Sequence, residues 1–423
     1  MGSIAINSVN TDSIWQRFLL FLICLGRMDG FFYENKIVFA ILIGLSGIGL
    51  MFNFLFGRNL LGGSFAKWQT VLLLFFFVSI FWAYSREQAI TIWIAYLGRS
   101  IIILYVYSYL LMTRNFFYAS KVFIIAVALV NLHFLAAFGI SGMLAARAET
   151  IDLGQGWNAN ALGMQSVVAC FLILNVLSLK RNNDLYRFAI LPFLIFFILL
   201  TGSKTCFFLL FGSFLMVYFM KSKRKMFTVI VIISLIAILS YLVFNVPFLY
   251  EVIGERLEIM IDGFTTFDAV TKTTSEGSAS DNIRLFMLFE GWQWFLEKPL
   301  LGYGVGNFQE MFGEINNGKE LYAHNNYIEL LVDTGLVGAL LYYWLYFFII
   351  WKSTKGSSKY ELSVASFLIV LMVAEFGHVS YLVFCIQFLL CFFVCDIDLK
   401  KQAEKKETIK RKLVYEQVKG SIQ

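Results

Sequence analysis

The chain has 423 residues, of which 59% are hydrophobic and 18% aromatic, including 46 Phe, while only 15% are charged. Soluble domains carry about 25% charged residues, so this composition excludes a soluble globular protein and predicts one that lies in a membrane. The formal net charge of +6 is scattered over short loops and the C-terminal tail. We therefore attribute it to membrane topology, and nucleic-acid binding is not expected.

Apolar segments of about 20 residues, each long enough to cross about 30 Å of hydrocarbon, recur along the whole chain. We predict an all-α polytopic membrane protein with about twelve transmembrane helices, at residues 15–28, 36–57, 68–84, 91–112, 121–141, 158–179, 187–202, 205–220, 226–247, 327–351, 361–378 and 379–395. With both termini in the cytoplasm, most of the 34 Lys and Arg residues fall in cytoplasmic segments. This orientation agrees with the positive-inside bias, and the opposite one does not.

The predicted organisation has four parts. Residues 1–247 form an N-terminal bundle of about nine helices, which is interrupted by a short external loop at 141–157. A large external loop follows at 248–326, then the C-terminal transmembrane helices at 327–395 and a basic cytoplasmic tail at 396–423. A loop of this length without a strand pattern is more often functional than idle.

The second half of the large loop has its own helical pattern. Apolar side chains recur at helical spacing between Arg284 and Lys298, and Pro299 marks the end of the predicted helix. A glycine-rich turn follows at residues 302–307. We predict that this part of the loop forms a helical cap on the membrane face.

The chain re-enters the membrane through a segment that opens with a histidine. His324 is followed by Asn325 and Tyr327 at the start of a predicted helix. Because an unperturbed imidazole titrates near neutral pH, it suits proton transfer. A purely structural role for His324 is the alternative, and the same structural role is what we expect for His133 and His378.

Four basic residues are predicted to lie near the external surface. Arg99 is inside the fourth predicted span and Lys204 lies between two spans, while Arg147 and Arg284 belong to the external loops. Charges at membrane depth tend to face an internal cavity, so these side chains are expected to form a cationic floor beneath the loop. The alternatives are a structural partner for Arg99, extension of Lys204 to the interface, and plain surface charges for the other two.

Several motifs resemble those of one bacterial superfamily. They are the re-entry segment from His324 to Gly338, the segment from Arg284 through Trp292 to Asn307, the stretch 154–163, and Thr201–Lys204. Together they are similar to the O-antigen polymerase and O-antigen ligase superfamily. The family usually has Arg where this chain has Lys204, and Lys offers phosphate a point charge instead of a bidentate fork.

The resemblance implies a GT-C-like membrane glycosyltransferase in the bacterial inner membrane, with its active site facing the periplasm. Members transfer glycan from undecaprenyl pyrophosphate to an acceptor hydroxyl, without a metal or other cofactor. In this chain the implied general base is His324, with Arg284 as the second catalytic residue. Binding of pyrophosphate and sugar is expected from Arg99, Arg147, Lys204, Asn325, Tyr327 and Trp292.

Three functions fit these patterns to different degrees. The leading hypothesis is a polysaccharide polymerase, for O-antigen or capsule, that joins lipid-linked repeat units, with a chain-length regulator as an expected partner. The close alternative is a ligase that moves finished polymer to lipid A–core. A transporter or flippase is the third, although the single asymmetric loop and the lack of an evident internal repeat count against it.

Overall fold

The computed structural model describes residues 13–28, 35–55, 63–147, 158–179, 186–222, 279–356 and 358–420, together with single positions between 226 and 245. The secondary structure within these ranges is helical. The helices are α1 (Ile14–Arg27), α2 (Lys36–Leu55), α3 (Ser64–Ser79), α4 (Arg86–Thr113), α5 (Phe116–Arg147), α6 (Ala159–Asn175), α7 (Leu191–Thr201), α8 (Lys204–Lys221), α9 (Ala279–Glu297), α10 (Asn307–Ile315), α11 (Asn326–Lys355), α12 (Lys359–Ala374) and α13 (Phe384–Gly420).

Many of these helices begin at a polar side chain that accepts from the first free backbone N–H groups. The capping residues are Ser13, Ser85, Asn158, Ser203, Asn325 and Ser358. Such a cap contributes about 1 kcal/mol. At a membrane surface it also satisfies donors that have no partner within the helix.

The described part of the chain contains six helices that are long and apolar enough to cross a membrane: Lys36–Leu55, Ser64–Trp82, Arg86–Thr113, Phe116–Leu144, Lys204–Lys221 and Asn326–Lys355. Two shorter apolar helices, Ala159–Asn175 and Phe188–Thr201, accompany them. The expectation of an all-α polytopic membrane protein is thus confirmed. The count of twelve stays a prediction, and the predicted span at 226–247 lies mostly outside the described residues.

Burial separates central helices from peripheral ones. Every residue of α6 from Ala161 to Ile173 is buried, and so is the first third of α13, residues 384–396. In contrast, α2 and α8 are buried over only a small part of their length. The central helices are therefore enclosed by protein, while the peripheral ones present apolar side chains to the surroundings, as a lipid-facing helix does.

The helix predicted in the large loop is confirmed at its C-terminal end. α9 stops at Glu297, two residues before Pro299, although it begins five residues earlier than Arg284. Its apolar face packs with α10 and the start of α11 in a cluster formed by Met287, Tyr303, Phe308, Met311, Phe312, Ala323, Ile328 and Val332. Residues 248–278 lie outside the described part of the chain, and the assignment of this region to an external cap stays a prediction.

α11 is interrupted at Gly335, where φ is 62° and ψ is −169°. The segment that follows α9 lies against this break. The N–H of Leu336 donates to the carbonyl oxygen of Pro299 at 2.8 Å, and the N–H of Val337 donates to that of Leu300 at 3.2 Å. The break thus allows the segment after α9 to pack against α11 through backbone hydrogen bonds.

Substitution of Gly335 by Ala is expected to destabilise the protein by about 3 kcal/mol or more, because this backbone region is essentially restricted to glycine. An added Cβ would also overlap the Leu300 carbonyl. The thermal unfolding of detergent-purified protein measures the loss. Gly44→Ala is the control, since a Cβ at that position in α2 meets nothing within 4 Å. Equal stability of the two variants would contradict the role assigned to the break.

Candidate active site

The candidate site lies where the chain enters α11. His324 immediately precedes the capping residue and has a φ of 51°, in the left-handed region. The side-chain oxygen of Asn325 accepts from the N–H groups of Tyr327 at 2.9 Å and Ile328 at 3.1 Å. The Asn325 cap therefore fixes the backbone next to His324 at the start of α11.

Groups from three other parts of the chain surround His324. The Tyr322 ring lies 4.0 Å from it, centroid to centroid, and the Tyr322 hydroxyl is hydrogen-bonded to the side chain of Asn158 at the start of α6. Burial, the positive charge of Arg284 and the nearby His378 lower the pKa of His324 to about 4. The imidazole is therefore neutral at physiological pH and has one nitrogen free of a proton, as a hydrogen-bond acceptor requires.

His378 is a further residue that lies close to His324 in the structure. It lies between α12 and α13 and is 5% exposed, and burial lowers its pKa to about 4. From the sequence we expect a structural role for this residue. Its Nε2 is instead buried without a hydrogen-bond partner in the described part of the protein.

A buried carboxylate holds the loop that carries His324. Glu329, one turn into α11 and 2% exposed, accepts a hydrogen bond from the N–H of Ala323 at 2.9 Å. The Tyr381 hydroxyl approaches its other oxygen at 3.5 Å. Glu329 is not among the residues predicted from the sequence, although a carboxylate in an otherwise apolar span is a signal of internal function.

Asp333, also on α11, holds the start of the neighbouring helix α10 in a similar way. Its carboxylate accepts from the N–H groups of Gly306 at 2.7 Å and Phe308 at 2.8 Å, at the start of α10. A carboxylate at this position is also favoured by the positive end of the helix dipole. The start of α11 and the start of α10 are thereby held together.

A third carboxylate ties the α12–α13 turn to α11. The fully buried Glu375 accepts from the hydroxyls of Tyr343 and Tyr346, both at 2.8 Å, and from Ser380. The Asn326 side-chain oxygen accepts from the N–H groups of Ser380 and Tyr381 at 3.0 and 3.2 Å. This network places His378 next to His324.

One predicted cation, Arg284, lies close to His324, and a second, Lys204, begins a helix next to the start of α6. Arg284 is on α9, and its positive charge acts on both Tyr322 and His324. Lys204 is the first residue of α8, and the adjoining Ser203 hydroxyl donates to the Asn160 side-chain oxygen at 2.6 Å. The starts of α6 and α8 therefore lie side by side, and both helix dipoles add positive potential there.

Arg99 lies beside a different cavity from the surroundings of His324. It lines a small cavity of about 20 Å³ with Gln69, Tyr96, Tyr381 and Gln387. Its Nε and one terminal nitrogen are buried without a hydrogen-bond partner among the described residues. Tyr381 lines this cavity and also approaches Glu329. It therefore connects the cavity beside Arg99 with the carboxylate that holds the loop of His324.

Three further predicted site residues are Trp292, Tyr327 and Arg147. Trp292 is 46% exposed on α9 and packs on Phe295. The Tyr327 hydroxyl donates to the Met372 carbonyl at 2.7 Å. Arg147 ends α5, and its side chain lies outside the described part of the structure.

Within the described residues, no three His, Cys, Asp or Glu side chains are grouped as ligands for a metal ion. The geometry instead combines a neutral imidazole with fixed cations. Such a site can accept a proton and stabilise a developing anion.

Comparison with known proteins gives one family. No curated protein matches the chain in sequence. Residues 188–343 match the family model described as O-antigen ligase, a segment that contains Lys204, Arg284 and His324. Over residues 188–343 the chain is therefore similar to the O-antigen ligase family, in agreement with its resemblance to the O-antigen polymerase and ligase superfamily.

Proposed function

We propose that the protein is a polysaccharide polymerase. It transfers a glycan from undecaprenyl pyrophosphate to the non-reducing end of a second lipid-linked repeat unit. The observation that carries the proposal is the neutral imidazole of His324 under the positive charge of Arg284. A base and an anion-stabilising cation at one point are what glycan transfer from a pyrophosphate carrier requires.

In the proposed mechanism, the acceptor hydroxyl gives its proton to the unprotonated nitrogen of His324. Its oxygen attacks the anomeric carbon of the donor glycan from the face opposite the pyrophosphate. The bond between that carbon and the pyrophosphate oxygen breaks, and the electron pair stays on the pyrophosphate. Arg284 and Lys204 stabilise this charge without a metal ion, and the anomeric configuration is inverted.

The other predicted site residues take supporting parts in the proposal. Asn325 and Tyr327 hold the start of α11 and so position His324. Trp292 offers an exposed aromatic face, of the kind that sugars stack on, along the same helix as Arg284. Arg99 provides a deeper cation beneath Tyr381, and Arg147 a further one at the end of α5.

We also propose where the protein lies in the cell. The protein spans the inner membrane about twelve times, both termini are cytoplasmic, and α9 and α10 belong to a periplasmic cap over the site. The distribution of Lys and Arg supports this orientation. A chain-length regulator is the proposed protein partner.

A ligase is the second candidate function, because the matching family model is described as O-antigen ligase. The same base and cations would then transfer finished polymer to a hydroxyl of lipid A–core. The chemical step is identical, and the two functions differ only in the acceptor.

Deletion of the gene and complementation with the intact chain test the proposal on one gel of cellular glycans. A polymerase deletion is expected to leave single repeat units on lipid A–core, or to abolish capsule. A ligase deletion is expected to leave bare core while long polymer accumulates on undecaprenyl pyrophosphate. Glycans that match the wild type would contradict both functions.

The pH dependence of transfer follows from the surroundings of His324. As a base it must be unprotonated, so activity rises with pH through its pKa. In the free enzyme that value is about 4, and kcat/KM should therefore show its acid limb near 4 instead of near 6.5.

Donor binding should change this pKa. The pyrophosphate neutralises Arg284, whose positive charge lowers the pKa of His324, so the acid limb of kcat should lie at a higher pH than that of kcat/KM. Initial rates of transfer with purified protein and lipid-linked donor, measured from acid to neutral pH, give both profiles. Coincident limbs near 6.5 would remove His324 from the role of base.

A further inference from the structure

A second cavity lies at the opposite end of the helix bundle from His324. It has a volume of about 600 Å³ and is bounded by the end of α11, the start of α12 and the middle of α13. Lys352, Lys355 and Lys401 lie on its lining, and so do the apolar side chains of Phe348 and Phe393. The cavity thus combines a cationic part with an apolar wall.

The charges in this cavity are unevenly paired. Lys400, also on the lining, forms ion pairs with Glu361 at 3.0 Å and Asp396 at 2.9 Å. Within the described residues, no carboxylate forms an ion pair with Lys352 or Lys355. Their ammonium groups lie instead over the Trp351 ring, at 4.8 and 3.7 Å from its centroid. The lining as a whole carries four lysines against the three carboxylates of Glu361, Asp396 and Glu404, so positive charge remains available to an anion.

A buried hydroxyl without a hydrogen-bond partner is a second, independent observation that indicates a bound ligand. Tyr360 lines the cavity and is only 5% exposed. Its hydroxyl has no hydrogen-bond partner in the described part of the structure. A buried polar group without a partner costs about 1–3 kcal/mol, and an acceptor atom bound in the cavity would remove this cost.

We propose that the cavity binds an anionic phospholipid of the surrounding membrane. Its phosphate would accept from the Tyr360 hydroxyl and lie near Lys352 and Lys355, with an acyl chain along Phe348 and Phe393. Trp351, which is 52% exposed, has the position of an interfacial aromatic residue. Basic pockets between transmembrane helices on the cytoplasmic side are known to suit such headgroups.

The apolar wall is the reason to choose a lipid over a soluble phosphate. A free phosphate ion would use the lysines and the hydroxyl but would leave the wall exposed to water. A phospholipid covers both parts at once, and burial of apolar area is favourable.

Native mass spectrometry of the full-length protein, purified in detergent and titrated with phosphatidylglycerol, tests this inference without any transfer reaction. The wild type should retain phosphatidylglycerol in preference to phosphatidylcholine. Lys352→Gln with Lys355→Gln should weaken retention by about fivefold per lysine, since each basic residue near an anionic lipid contributes about 1 kcal/mol. Tyr360→Phe, which removes only the hydroxyl, should weaken it by about tenfold.

The control is Lys405→Gln, a substitution on an exposed part of α13 outside the cavity, which should leave retention unchanged. Equal retention of both lipids, or no loss of retention in the double lysine variant and in Tyr360→Phe, would overturn the proposal. Thermal stabilisation by inorganic phosphate alone, lost in Tyr360→Phe, would also overturn it and assign the cavity to a soluble anion. A glycan phenotype plays no part in these outcomes, so they are independent of the proposed polymerase activity.

Discussion

Replacement of His324 by Asn is expected to lower the turnover of glycan transfer by about 10²- to 10⁴-fold, the usual contribution of a general base. Asn is chosen because it tolerates the left-handed backbone that His324 adopts, with a φ of 51°. The substitution therefore removes the base while it spares the backbone. Ala at this position would combine the two effects.

Single-turnover rates with purified lipid-linked donor measure this loss, and a binding assay with the same donor should show near-normal affinity. His133→Asn is the matched control, because His133 is on α5, away from the start of α11. A stably folded His324→Asn protein with wild-type turnover would return His324 to a structural role.

The second large effect is expected at Arg284. Arg284→Ala should reduce turnover by about 10²- to 10³-fold, the range for loss of one group that stabilises transition-state charge. Arg284→Lys should retain part of the activity, because the charge stays while the bidentate geometry is lost. Lys319→Ala, at an exposed position after α10, serves as the control for loss of a basic side chain.

A separate readout tests whether Arg284 acts at this site. Its positive charge lowers the pKa of His324, so its removal should raise that pKa toward the ordinary value of about 6.5. NMR titration of selectively labelled histidine, or the acid limb of kcat/KM, reports the change. A loss of activity in Arg284→Ala with an unchanged His324 pKa would mean that the two residues do not meet.

The buried carboxylates explain how such a site keeps its geometry at the edge of a membrane. Glu329 holds the backbone before His324, and Asp333 and Glu375 bind α10 and the α12–α13 turn to α11. Each accepts at least two hydrogen bonds, as a buried carboxylate must. Loss of any one of them would leave buried donors without partners as well as loosen the site.

Local patterns in the chain were enough to establish the class of protein and several of its helices. Composition and apolar segment length predict a polytopic helical protein because lipid requires each backbone polar group to be satisfied within a helix or closed barrel. The end of α9 before Pro299 was predictable for a similar reason. Proline lacks the N–H that the next helical turn needs.

The assembly of the site depended on contacts between distant parts of the chain. Asn158 meets Tyr322, and the Asp333 carboxylate meets the start of α10, whereas no periodicity or spacing relates these residues to one another. The spacing of α9 puts Trp292 on the same helix as Arg284, but only packing leaves Trp292 exposed. Sequence periodicity indicates which face of a helix is apolar. Tertiary packing decides what that face contacts, because the shape and hydrogen bonding of the whole fold determine which helices are neighbours in the bundle.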